Sequence, residues 1–128
     1  MNFSILKKEK CSVINLHEEK LTSAIAPALK TELVKLTEEG EKNIILNLTE
    51  VKYADSSGLS SILIGDRICR EKEGMFILAC CKEHVLKLLK ISKLDTLLNS
   101  IPSMEESIDA VYMNELEKSF GTEENKED

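Results

Sequence analysis

The sequence lacks the features that mark membrane-spanning and nucleic-acid-binding proteins. It contains no apolar run long enough to cross a bilayer, and its first residues hold no basic stretch followed by an apolar one. Its 17 Lys and Arg are dispersed among 23 Asp and Glu, which gives a formal net charge of -6. Because phosphate backbones attract clustered basic residues, this balance argues against a nucleic-acid ligand. We expect a cytoplasmic protein with no direct membrane insertion.

The sequence also lacks the usual signatures of metal, disulfide and catalytic sites. None of its four cysteines forms a Cys-x-x-Cys pair, and the adjacent Cys80 and Cys81 would point to opposite faces of a strand. It has no Gly-x-Ser-x-Gly elbow and no Gly-rich phosphate loop. A nucleophilic serine needs a base, and the two histidines do not obviously converge on one. We therefore expect reduced thiols, no metal, no cofactor and no enzymatic activity.

The length and composition fit one domain. A chain of 128 residues with 42% hydrophobic content can bury one core, which we place in residues 1–118. The end of the chain departs from this pattern, because residues 121–128 are acidic and contain no apolar anchor. We expect residues 119–128 to form a disordered acidic tail.

The first third of the chain predicts two strands and a helix. Residues 3–16 alternate loosely around a charged turn, which favours two short strands. Residues 22–39 carry one apolar stripe at spacings of four, four and three, which predicts a helix. The stripe consists of Ile25, Leu29, Leu33 and Leu36. Pro27 falls near the start of this helix and Gly40 at its end, where each is best tolerated.

The centre of the chain predicts parallel strands. Residues 43–48 and 75–79 are nearly continuous apolar runs, too short for helices and typical of strands covered on both faces. A predicted helix over residues 57–71 lies between them, so the order implies a right-handed crossover. A shorter helix follows from Val85, with a broken continuation to Leu98, and Ser103 opens a last helix as a capping box with Glu106. The expected fold class is therefore α/β, with a mixed four- to five-stranded sheet, a parallel centre and about four helices.

The segment of residues 55–59, Asp-Ser-Ser-Gly-Leu, stands at one of the predicted strand-to-helix junctions. A phosphoryl group on Ser56 would add roughly -1.5 to -2 charges near the positive end of the helix dipole. The same residue types are ordinary N-cap chemistry, worth about 1 kcal/mol. On these residues alone the N-cap interpretation is favoured, because N-capping is common for these residue types.

The order of elements and the run of residues 43–59 resemble the STAS domain, and within it the bacterial anti-sigma factor antagonists. A strand, a short loop with an aromatic residue, and then Asp-Ser-Ser-Gly-Leu form the signature of that family. The resemblance covers about residues 3–117. It implies that the α/β fold predicted above is the STAS fold.

The resemblance implies a phosphorylation switch. The unmodified protein would bind an anti-sigma factor that is also a serine kinase, and so release a sigma factor for transcription. Phosphorylation of Ser56 would break the complex, and a serine phosphatase would restore it. Many antagonists carry an Asp before the first helix where this chain has Thr22, a residue that we expect to serve as the N-cap. The expected partner-binding residues are Asp55, Ser57, Gly58, Ser60, Ser61, Ile64 and Thr22.

Two other functions remain compatible with this resemblance. The first is an unphosphorylated STAS scaffold subunit of a transporter or of a stress-sensing assembly. The second is a nucleotide-binding STAS module. A Ser56→Asp substitution separates the scaffold from the switch, because it should abolish kinase binding but leave assembly with a transporter nearly unchanged.

Overall fold

The buried apolar runs of the sequence form the centre of a five-stranded sheet. The computed structural model describes residues 1–127, with the side chains of residues 1–120. The strands are β1 Phe3–Lys7, β2 Ser12–Leu16, β3 Lys20–Leu21, β4 Ile44–Asn47, β5 Tyr53–Ala54, β6 Phe76–Ala79 and β7 Asn99–Ile101. The helices are α1 Ala26–Glu38, α2 Ser56–Glu71, α3 Glu83–Ile91 and α4 Met104–Glu127.

The sheet is mixed, with the predicted parallel centre. Its order is β1-β2-β4-β6-β7, with β1 antiparallel to β2 and the other neighbours parallel. The register places Ile44 opposite Phe76 and Leu46 opposite Leu78 across the two central strands. The fold class expected from the sequence is confirmed.

Both faces of this sheet are buried, and each has its own helical layer. On one face, Ile44 and Leu46 of β4 lie in a core cluster with residues of α1, α2 and α3. On the other face, Ile45 of β4 and Ile77 of β6 pack with Val111 of α4. Successive residues of a strand point to opposite faces, so the continuous apolar runs serve both layers.

The first helix begins later than its apolar stripe suggested. We expected residues 22–39 with Thr22 as N-cap, but α1 begins at Ala26, and its N-cap Ile25 makes no side-chain cap bond. The reason is a separate turn, in which the Thr22 carbonyl accepts hydrogen bonds from the N–H groups of Ile25 and Ala26 at 3.0 and 2.8 Å. Gly40 follows the helix with a φ of 101°, as predicted for a C-terminal residue.

The predicted continuation of the third helix to Leu98 is wrong. α3 ends at Ile91, and Lys93 adopts a left-handed φ of 62°, which turns the chain out of the helical path. The chain then enters β7, which pairs with β6 at the sheet edge.

The start of α4 follows the predicted cap in part. The Glu106 N–H donates to Ser103 Oγ at 3.1 Å. The Glu106 carboxylate accepts from the Ser103 hydroxyl at 3.0 Å, instead of from the backbone N–H that a full capping box satisfies. The predicted tail of residues 119–128 lies on the last turns of α4 and beyond. Because the side chains of residues 121–128 and all of Asp128 lie outside the described residues, its disorder stays a prediction.

Candidate functional site

The candidate site is the segment of residues 55–58, called here the serine loop. It follows the carboxyl end of the central strand β4, where open α/β sheets tend to place their sites. Before the serine loop, β5 pairs in parallel with β3, with Lys20 opposite Tyr53 and Leu21 opposite Ala54. This small second sheet brings the turn before α1 beside the start of α2.

Asp55 connects the starts of two helices. Its Oδ1 accepts a hydrogen bond from the Gly58 N–H at 2.9 Å, which makes it the N-cap of α2. Its Oδ2 accepts from the Ser23 N–H, in the turn before α1, at 3.3 Å. The N-cap interpretation of Asp55 is therefore confirmed, and this carboxylate holds backbone groups on both sides of the site.

Ser56 is the exposed member of the serine loop. It is the first residue of α2, and its hydroxyl makes no hydrogen bond to any residue that the structure describes. The N–H groups of the first helical turn have no intrahelical partner. Of these, the Asp55 carboxylate accepts a hydrogen bond from the Gly58 N–H alone. The N–H groups of Ser56 and Ser57 therefore remain available to an anion at the positive end of the helix dipole.

Gly58 allows the serine loop to lie directly against β3. A Cβ atom at this position would come within 2.1 Å of the Leu21 carbonyl oxygen, so no larger residue fits without a backbone shift. The Gly58 carbonyl accepts a hydrogen bond from the Ser61 hydroxyl at 2.7 Å. Ser61 is only 1% exposed. It therefore belongs to the interior, and this corrects its predicted place on the partner surface.

A shallow cavity of about 190 Å³ lies beside the serine loop, between α1 and α2. Ser57 and Ser60, both predicted as partner-binding residues, line its α2 side. Its α1 side contains residues that were not predicted: Ser23, Ala26, Pro27 and Lys30. The spacing of four and three residues could have placed Ser23, Pro27 and Lys30 on one helical face. It could not have shown that this face lies opposite α2.

Thr22 and Ile64 are the two remaining predicted contacts. Thr22 is half-buried in the turn before α1, next to Ser23. Ile64 is half-buried further along α2, eight residues after Ser56 and so about two turns away. Both stay predictions as partner-binding residues.

The two histidines contact residues away from the serine loop. His17 Nδ1 lies 2.5 Å from Glu50 Oε2, and its Nε2 lies 3.2 Å from Ser4 Oγ, with all three residues exposed. The His84 ring packs against Tyr53 with 5.0 Å between ring centroids. Neither contact supplies a base to Ser56.

The cysteines do not gather into a site. Cys11 and Cys69 are buried and Cys80 and Cys81 half-buried, and all four are free thiols in this structure. Burial raises the pKa of Cys69 to about 12, which keeps this thiol protonated at neutral pH. Cys80 and Cys81 do flank opposite faces of the sheet, although both follow the end of β6. Within residues 1–120, no group of three metal-ligating side chains was found.

Comparison with known proteins identifies the family. The model of the STAS domain matches residues 2–110. The chain belongs to the STAS domain family. A relative of this STAS domain is BtrV of Bordetella bronchiseptica, which is named as an anti-sigma factor antagonist and is 32% identical over 72 residues. That match covers 56% of this chain and 62% of BtrV, less than two thirds of the relative's length.

Solved structures agree on the fold. SpoIIAA, a Bacillus cell fate determinant solved in its phosphorylated form, aligns with a TM-score of 0.68 and 23% identity, over 86% of this chain and 99% of its own. A sulfate transporter family protein from Wolinella succinogenes aligns with a TM-score of 0.74 and 14% identity, over 85% and 90%. At these identities the likeness shows the STAS fold alone. In the described part of the chain, no helix is both long and apolar enough to span a membrane.

Proposed function

We propose that this STAS domain is an anti-sigma factor antagonist, switched off by phosphorylation of Ser56. In its unmodified form it binds an anti-sigma factor serine kinase, and this binding releases a sigma factor. The observation that carries the proposal is the exposed hydroxyl of Ser56 at the start of α2. The similarity to BtrV supports the class of function.

The chemistry is a phosphoryl transfer that the partner performs. The kinase transfers the γ-phosphoryl group of ATP to Ser56 Oγ, the hydroxyl loses its proton, and ADP leaves. A serine phosphatase reverses the modification by hydrolysis, with water taking the phosphoryl group. This chain supplies only the acceptor, so no base of its own is needed.

The surroundings of Ser56 favour a change in binding over a change in fold. A phosphate there would find the unpartnered N–H groups of the first turn of α2, which favour negative charge. The Asp55 carboxylate, which caps the same helix, would repel it. The added charge therefore acts mainly on the surface that a partner meets.

The partner surface that we propose joins the serine loop to the neighbouring cavity. Ser57 and Ser60 contribute hydroxyls, and Lys30 contributes a cation that has no ion pair among the described residues. Asp55 and Gly58 shape this surface without needing to touch the partner, because their polar groups are already engaged within the chain.

The switch is tested by intact-mass analysis of the protein purified from its native host, with peptide mapping around Ser56. We expect a phosphate on Ser56 under at least one growth condition. Its absence under every condition tried would contradict the phosphorylation switch.

A capture experiment tests the partner. Immobilised wild type and Ser56→Ala should retain a serine kinase from native lysate, and Ser56→Asp should lose it. Ser4→Asp is the matched control, because it adds the same charge to an exposed serine on β1 and should retain the kinase. Equal capture of a transporter by both Ser56 variants would instead support the scaffold function. The sulfate transporter family protein from Wolinella succinogenes has a similar fold.

A further inference from the structure

One face of α4 is exposed, apolar and acidic. One apolar stripe is formed by side chains spaced four residues apart, those of Tyr112, Leu116 and Phe120, and Met113 lies beside it. Between 39% and 55% of each residue is exposed, which is high for side chains of this size. Helical spacing places three exposed acids on the same face: Glu105, Asp109 and Glu117. Residues 104–117 contain no Lys or Arg. Lys10, from the turn between β1 and β2, lines this surface beside Tyr112 and Leu116.

The outer face of α3 and the turn after it have the opposite charge. Leu86, Ile91 and Leu97 are exposed there, and Ile91 reaches 79%. Four exposed lysines surround them: Lys82, Lys87, Lys90 and Lys93. Residues 82–97 contain only two acids, Glu83 and Asp95, although the whole chain carries a net charge of -6. Of the four lysines, Lys87 alone has an ion pair with a described residue, at 3.4 Å from Glu83.

These two surfaces cannot meet within one copy of the chain. α3 packs through Val85 and Leu89 on the face of the sheet that α1 and α2 also cover. α4 packs through Val111 on the other face. The sheet therefore separates a basic apolar surface from an acidic apolar one, and only a second copy can bring them together.

We propose that the protein self-associates head to tail, with the α3 face of one copy bound to the α4 face of the next. Apolar side chains on both faces would leave water together, and the lysines of one copy would meet the acids of the other. Such a contact joins two different surfaces, so it leaves one of each free at the ends and permits further growth. Ser56 belongs to neither face. The proposal is independent of the phosphorylation switch.

Sedimentation velocity of the full chain tests this self-association. The weight-average mass should rise above 14.4 kDa with protein concentration, and fall again with added salt, which screens the opposed charges. Ile91→Glu should prevent binding through the α3 face, and Leu116→Lys should prevent binding through the α4 face. Each variant alone should stay monomeric. Because each keeps one intact face, an equimolar mixture should form a dimer and nothing larger.

Two control variants make the result specific. Val34→Glu places the same charge at an exposed apolar residue of α1, and Ser56→Ala changes the serine loop, so both should associate like the wild type. Circular dichroism confirms that each variant is folded. The proposal is overturned by a wild type that is monomeric at every concentration, or by Val34→Glu abolishing association. Association of Ile91→Glu on its own would also overturn it, because that result would indicate pairing of two α4 faces. A protein that stays monomeric and binds phosphatidylglycerol vesicles would overturn it as well.

Discussion

At the scale of single residues, the serine loop depends on side chains whose roles differ in how far they can be predicted. The cap role of Asp55 could be predicted from sequence, because Asp is a preferred N-cap residue and an apolar helical pattern follows it. Ser61 was misplaced on the surface, although it lies three residues after Gly58 and four before Gly65, on the buried face of α2. The contact of Gly58 with the Leu21 carbonyl could not be predicted, since it joins segments far apart in the chain.

Gly58→Ala should destabilise the protein. The new Cβ would overlap the Leu21 carbonyl oxygen, and backbone on both sides would have to move, so we expect a loss of about 1–3 kcal/mol in the free energy of unfolding. Urea denaturation measures the change. Ser60→Ala, two residues along the same helix at an exposed position, should cost less than about 0.5 kcal/mol. Equal midpoints for the two variants would contradict the close approach.

At the scale of elements, every segment with a clear apolar pattern was predicted, although the start of α1 and the end of α3 were not, and the strands of two or three residues were missed. α2 begins within one residue of its predicted start, whereas β3 and β5 have two residues each and no period to detect. β7 was missed because its three residues, Asn99–Ile101, contain one apolar side chain and become a strand only by pairing with β6.

The attachment of α4 to the sheet also involves a polar contact that no period shows. Buried Asn43 accepts from the Met75 N–H at 2.8 Å, and its amide donates to Glu115 Oε1 at 2.8 Å. Lys42 lies 3.5 Å from the same carboxylate. The Asn43 hydrogen bond, with help from Lys42 and against a smaller effect of burial, lowers the pKa of Glu115 below its ordinary value.

This contact predicts a stability that depends on pH. Because the pKa of Glu115 is lower in the folded state, its contribution is fully present above the unfolded pKa of about 4.3, and is lost as the pH falls through the folded value. Glu115→Gln should therefore be less stable than the wild type at neutral pH, and the difference should shrink on acidification. Chemical denaturation across this pH range measures it, with Glu117→Gln, at an exposed position of the same helix, as the control.

At the scale of the whole molecule, sequence order was enough for the parallel centre of the sheet but not for the arrangement of the helices. Two apolar runs around a helix imply parallel strands, and β4 and β6 are parallel neighbours. Which helix covers which face depends on where each chain segment crosses the sheet, and the apolar runs serve both faces equally. The separation of α4 from α3 by the sheet therefore emerges only from the structure.

Because Ser56 is exposed, the whole fold should tolerate a charge at this position. Ser56→Asp should change the free energy of unfolding by less than about 1 kcal/mol, with a favourable contribution from the helix dipole. Asp55→Ala, which removes the cap and the bond to Ser23, should destabilise by about 1 kcal/mol or more. Thermal or urea denaturation compares them. If Ser56→Asp lost as much stability as Asp55→Ala, the modification would act on the fold and not on a partner.

The double hydrogen bond of Asp55 has a consequence for the entropy of recognition. Fixing the backbone of one residue costs about 1–2 kcal/mol, and a flexible loop would impose that loss on every binding event. Here Asp55 and the pairing of β3 with β5 hold the serine loop in place before any partner arrives. The loop is already ordered once the protein has folded, so a partner meets a preorganised surface. Binding then costs little further conformational entropy, and little affinity is lost to ordering the loop.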